Sequence, residues 1–148
     1  MSSFKKVFAE IAVLFSYPKN LVTLAIRFVL AYGFATPALL KINDLQATGK
    51  WFAQMSVPFP LFVAYIISGI ETIGIVLLVL GLFTRYISVL LSFVMLGAIF
   101  LVHAPHGFSV ANNGIEIPFY YLLFLLFLST FGAGKYALDK ILFKDNVS

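Results

Sequence analysis

Two charged residues stand inside apolar runs, where a charge is costly. Glu71 lies in LFVAYIISGIETIGIVLLVLGLF (61–83) and Arg27 in LVTLAIRFVLAYGFATPALL (21–40). Each run reaches the roughly 20 apolar residues that cross a bilayer. A lone charge in hydrocarbon costs at least ~2.5 kcal/mol, so such residues face the protein interior and take partners. At a rise of ~1.5 Å per residue, Arg27 falls ~9 Å and Glu71 ~16 Å from the same membrane face. An extended arginine spans that difference, and an Arg27–Glu71 ion pair is expected. Two roles fit such a pair. It either fixes helix register, or it is a proton or ligand site in which Glu71 exchanges a proton.

A second polar group is expected at the opposite ends of the runs. Lys41 ends the first, His103 ends the third (86–103), and Glu116 opens the fourth (117–133), with Tyr120 one turn further on. A histidine beside a carboxylate relays protons near neutral pH. For Lys41 the plainer reading is snorkelling at a helix end. His103 and His106 are three apart, but Pro105 lies between them. Two such ligands do not make a metal site, and one helix edge cannot clamp a haem from both faces. The catalytic candidates are therefore Glu71, Arg27, His103 and Glu116. Arg27, Glu71, Tyr120 and Lys41 are the candidates for holding a cofactor, and no metal is expected.

These residues need a membrane to make sense. Of 148 residues 61% are hydrophobic and only 11% charged, and the mean hydropathy is +1.02. A soluble domain carries about 25% charged residues. The four runs predict an all-α polytopic membrane protein, a four-transmembrane-helix bundle in a single domain over 1–148 with the lipid bilayer as its solvent. Continuous apolar runs, rather than alternation, argue against a β-barrel.

Charge placement orients the bundle. The net charge is +4, and Lys5, Lys6, Lys19, Arg85, Lys135, Lys140 and Lys144 fall on one side if the helices alternate. Lys41 and Lys50 fall on the other. The positive-inside rule then puts both termini in the cytoplasm. The same rule accounts for the basic residues without nucleic acid. Phe4, Val7, Phe8, Ile11, Leu14 and Phe15 recur at helical spacing and predict an amphipathic interfacial helix before Pro18, and 136–143 reads as a second one. On the second run Ala64, Ser68, Glu71 and Gly74 share a face, and small residues there let helices approach closely. Arg27, Ala31, Phe34, Ala38 and Lys41 share a face of the first. Cysteine is absent, which excludes thiol chemistry on the chain's own residues.

These segments resemble the DoxX family of small four-span membrane proteins. RFVLAYGFATPALLKI resembles that family's arginine-led helix closing in a lysine. SGIETIGIVLLVLGLFTR is similar to its second-span motif, with Glu71, Gly74, Gly81 and the Thr84-Arg85 turn in place. HGFSVANNGIEIPFYY resembles its third loop, and GAGKYALD its closing motif with Gly132, Gly134 and Asp139. One branch is linked to thiosulfate:quinone oxidoreductase as a membrane subunit. The resemblance thus implies a quinone as cofactor, a partner oxidoreductase subunit and a role as a membrane oxidoreductase subunit. A small permease or ion carrier, assembled as a homo-oligomer, and a non-catalytic anchor for a partner enzyme are the alternatives. The expected location is the bacterial inner membrane.

Overall fold

The computed structural model describes residues 2–143, so Lys144 of the basic tail lies outside the described residues. Among them the regular structure is helical throughout. Helix α1 (Ser2–Ser16) turns at Tyr17-Pro18 into the long α2 (Lys19–Asn43), and α3 (Leu45–Gln54) is a short helix that packs on α4 (Pro60–Leu80). Helix α5 (Thr84–Gly97) runs on into a π-helical turn (Ala98–His103) and two short 3-10 turns (Ala104–His106 and Val110–Asn112). Helix α6 (Glu116–Phe131) and the five-residue α7 (Leu138–Leu142) follow.

The stretches Phe4–Asn43, Pro60–Leu80 and Thr84–His106 are long and apolar enough to cross a membrane. Four such stretches were expected. The last, α6, is apolar but has 16 residues, about 24 Å of helix.

The expected faces are the buried ones. Helix α2 buries Arg27, Ala31, Phe34 and Ala38, and α4 buries Ala64, Ser68, Glu71 and Gly74. The two pack along each other as an antiparallel pair, while α5 packs on α4 and α6. Leu30, Phe34, Leu78, Ile87, Leu91, Leu125 and Leu128 fill the core between them. A Cβ at Gly74 would lie 3.0 Å from Leu91 Cδ1, so this small residue sets the approach of α4 and α5. The outward surface is rich in large apolar side chains such as Leu21, Phe62, Val76 and Phe93. Helix α1 forms where its periodicity places it, but its apolar side chains stay exposed instead of joining the bundle.

One end of the bundle is closed by charged groups acting on helix ends. Helices leave their last four carbonyls and first four amides without partners. Arg27, 1% exposed, donates from Nε to the Leu78 carbonyl (2.8 Å), from Nη2 to Val79 (2.8 Å), and from Nη1 to Ala133 (3.1 Å) and Tyr136 (2.7 Å). Asp139 accepts from the Phe83 and Thr84 amides at 2.7 and 3.0 Å, at the start of α5. Arg85 donates to the Ser129 and Thr130 carbonyls at the end of α6. This explains why the closing helix is shorter than the expected 136–143. The chain over 132–137 is spent folding back under Arg27, and only Leu138–Leu142 is left to coil.

Gly81 makes that closure possible. It sits at φ +67°, and a Cβ there would fall 2.7 Å from Arg27 Nη2 and 2.6 Å from Ala137 Cβ. A left-handed L-residue costs roughly 1–2 kcal/mol by itself, and the guanidinium would also be displaced from buried carbonyls worth about 1–3 kcal/mol each when orphaned. Gly81→Ala is expected to lower unfolding stability in detergent by at least about 2 kcal/mol, and Arg27→Lys, which keeps the charge but loses the planar fork, by a similar amount. Wild-type stability in Arg27→Lys would contradict the closure.

Candidate functional site

The bundle is not filled evenly. Towards the end opposite Arg27, the helices surround a cavity of about 730 Å³. Small-molecule sites are typically ~300–1,000 Å³, mostly apolar, with a few polar groups that orient the ligand. The cavity has that make-up. Helix α2 contributes Gly33, Pro37 and Lys41, and α3 lays Trp51, Phe52 and Met55 along one side. Helix α4 supplies Val63, Ile67 and Glu71, while Met95, Ala98 and His103 come from α5 and its π-helical turn. Tyr121 of α6 completes the wall. Single π-helical turns are uncommon and often mark functional sites. Here the turn places Ala98, Leu101, Val102 and His103 on the cavity.

The polar centre is an ion pair, with a different cation from the one expected. Lys41 Nζ lies 2.7 Å from Glu71 Oε2 and 2.9 Å from Oε1. The Glu71 side chain is 2% exposed and that of Lys41 17%, so the carboxylate is the buried partner. Arg27 does not reach it. Its carbonyl partners at Leu78 and Val79 lie seven and eight residues further along α4, roughly 10–12 Å by helical rise. Arg27 is thus a structural closure at one end, and the site lies at mid-helix above it. Lys41 turns inward along the face it shares with Phe34 and Ala38 instead of snorkelling. Its ammonium meets the one carboxylate that α4 buries.

His103 and Glu116 are placed near the mouth but not on each other. His103 Nδ1 lies 2.7 Å from the Asn113 carbonyl, and because a carbonyl only accepts, Nδ1 donates. Glu116 accepts from the Val110 amide at 2.8 Å and lies 3.4 Å from the Tyr120 hydroxyl. It ties the loop 107–116 together, alongside backbone bonds from Ile115 to Gly107 and from Glu116 to Phe108. The histidine–carboxylate relay expected from the sequence is replaced by two loop anchors. Among the described residues no three His, Asp or Glu side chains gather as a metal site would require.

Tyr120 points to the wrong neighbour. It is 41% exposed, and Tyr121 is the tyrosine on the cavity. A Cβ at Gly33 would overlap the Tyr121 hydroxyl, so α2 is cut away at that residue to admit the phenol. The Tyr121 ring also packs against Phe34 with centroids 5.9 Å apart. Adjacent tyrosines at the start of one apolar helix give no sequence signal for which turns inward. Trp51 and Phe52 are carried by α3. The structure lays their helix against α4, and both line the cavity.

Comparison with known proteins supports attention to this half of the chain. The model of the DoxX family matches residues 22–104, a segment that takes in Arg27, Lys41, Glu71 and His103. An uncharacterized protein of Haemophilus influenzae (strain ATCC 51907 / DSM 11121 / KW20 / Rd) is 35% identical over 129 residues, covering 82% of this chain and 83% of that one. A Bacillus subtilis (strain 168) protein named "Putative oxidoreductase CatD" is 34% identical over 122 residues, covering 82% of this chain and 87% of that one. No solved structure matches the chain.

The Lys41–Glu71 contact has a measurable energetic signature. Removing one partner of a buried pair costs about 3–5 kcal/mol, because the other charge is left alone. Lys41→Met is expected to destabilise the detergent-solubilised protein by that order, and adding Glu71→Gln to it should recover most of the loss. If the double variant is no more stable than Lys41→Met in equilibrium unfolding, the two side chains are not coupled.

Proposed function

The chain belongs to the DoxX family, and we propose that it is the quinone-binding membrane subunit of an oxidoreductase system. The observation that carries this reading is the placement of one Lys–Glu pair on an otherwise apolar, aromatic-walled cavity. The donor set fits a quinone. A ring with two carbonyl acceptors needs a donor and a proton-exchanging group within an apolar slot, and the cavity volume is adequate for such a ring. The name carried by the Bacillus relative points the same way.

A bound quinone supplies two-electron, two-proton chemistry at its ring oxygens. This chain's residues do the rest. Lys41 Nζ would donate a hydrogen bond to a ring oxygen and hold positive charge where negative charge develops. Glu71 would pass the two protons one at a time at its carboxylate oxygen, and its hold on Lys41 keeps the ammonium at the cavity. Trp51, Phe52 and Tyr121 would line the slot for the ring, and the apolar wall would keep water from the exchange. With no cysteine in the chain, electrons come from a partner oxidoreductase subunit.

The membrane arrangement belongs to the same proposal. Helices α2, α4, α5 with its π-helical turn, and α6 form four spans in a bacterial inner membrane. Lys19, Arg85, Lys135 and Lys140 lie at the cytoplasmic end with both termini, and α1 and α7 rest in that interface.

Trp51 is the only tryptophan in the chain and lines the cavity, so its fluorescence reports directly on occupancy. Saturable quenching by a benzoquinone is expected for wild type, with apparent affinity at least tenfold weaker, about 1.4 kcal/mol, in Glu71→Gln. Quenching that is linear in quinone and equal in the two proteins would overturn the reading. Topology is tested as cleanly, because introduced cysteines have no competitors. Ser109→Cys should react with an impermeant maleimide in intact cells and Ser16→Cys only after permeabilisation, and the reverse result would invert the orientation.

A further inference from the structure

The cavity has a polar end, and part of its apolar wall is exposed on the outer surface of the bundle. Leu40, Phe93 and Leu101 all line it, yet they are 69%, 67% and 50% exposed. They sit on the outer surface of the bundle and on the cavity at once, so they form its rim. Leu40 belongs to α2, with Gly33 and Pro37 below it. Phe93 and Leu101 belong to α5 and its π-helical turn, with Gly97 between them. Helix α2 packs along α4, and α5 along α4 and α6, but α2 and α5 share no packed seam. Both helices therefore carry residues of the rim, with α4 and α6 packed against each of them.

The depth of the rim decides what it opens onto. Gly97 lies 13 residues along the helix from Thr84, roughly 20 Å at helical rise. Both helices lie in stretches apolar enough to span a bilayer. An opening at that depth, within a hydrocarbon core ~30 Å thick, faces acyl chains. A rim of large apolar side chains suits that neighbour, while the exposed polar residue of the lining, Asn113, lies on the outer loop.

We infer that the opening rimmed by Leu40, Phe93 and Leu101 is a lateral portal, and that the ligand is an amphiphile with a long apolar tail, its polar head on Lys41–Glu71 and its tail lying out through that opening into the bilayer. This rests on the quinone reading for the nature of the head, and adds that the physiological ligand is membrane-dissolved and enters from the side. The glycines shape the portal. A Cβ at Gly97 has no heavy atom within 4 Å, so a side chain placed there fills open space at the opening without colliding with its neighbours. Gly33 thins α2 beside the Tyr121 hydroxyl. Gly97 thus keeps bulk away from the path of the tail, whereas the space at Gly33 is taken by the Tyr121 phenol.

The test compares dimethoxy-methyl-benzoquinone with and without a decyl tail, in wild type, Gly97→Phe and Glu71→Gln, in lipid nanodiscs with Trp51 quenching as readout. The tail also raises partitioning into lipid, but that contribution is common to all three proteins and cancels in the ratio of the two affinities. The tail is expected to strengthen binding in wild type at least tenfold more than in Gly97→Phe, because the phenyl ring closes the path. An equal tail effect in wild type and Gly97→Phe would overturn the portal. The two proposals fail differently. Glu71-dependent binding with no portal-dependent tail effect removes the portal alone, and a Gly97-dependent tail effect with heads insensitive to Glu71→Gln removes the quinone-head assignment alone. Wild-type protein that binds neither ligand overturns both.

Discussion

The structure is governed by the cost of holding charge away from water. Among the described residues two charged side chains, Arg27 and Glu71, are almost wholly buried, and each is matched in a different way. Glu71 is met by one ammonium in a close ion pair. Arg27 is met by four backbone carbonyls, two in the last turn of α4 and two in the segment between α6 and α7. The guanidinium suits the second task because its donors form a flat fork that serves several acceptors at once. The lysine suits the first, since a compact point charge on a flexible stem reaches a mid-helix carboxylate from near the end of its own helix. The two ends of the bundle thereby acquire different characters. One is rigid and satisfied, and the other keeps a charge pair beside open space.

That division links packing to chemistry. Arg27, Asp139 and Arg85 pin the last turns of α4 and α6 and the first turn of α5 to a common closure. With one end fixed, α2 and α4 lie in register, and Lys41 arrives opposite Glu71. The Phe83 backbone shows how firmly the closure is held. It sits at φ 49°, costly for a bulky residue, and it is held there by the Asp139 carboxylate and by a ring contact with Phe143 at 5.3 Å. At the other end, packing relaxes into a cavity walled in part by α3, the π-helical turn and the loop that Glu116 and His103 tie down.

Much of this was legible in the sequence, for a physical reason. Helical period and apolar composition are local properties. They place the buried faces of α2 and α4 correctly, residue by residue, and they identify Glu71 as interior. The partner of Arg27 was not legible, because its acceptors are backbone carbonyls. Every residue has one, and only the position of the Gly81 turn and the fold-back of 132–137 free the right four. Depth counted from a common membrane face brought Arg27 and Glu71 within reach on paper, but it ignored the competing lysine arriving from the opposite end. The choice of Tyr121 over Tyr120, and the placing of α3 as a cavity wall, depend on how helices rotate and dock. A single sequence holds no signal for either.

The central claim is that Lys41 and Glu71 form the polar end of a ligand cavity and are not merely a register-fixing pair. Photolabelling with an azido-benzoquinone, with adducts mapped by mass spectrometry, tests it most directly. The account predicts adducts on cavity residues of α3, α4 and α5, such as Trp51, Met55 or Met95, suppressed by excess unlabelled quinone. Adducts confined to α1 or to the Arg27 end, or undiminished by competitor, would contradict it.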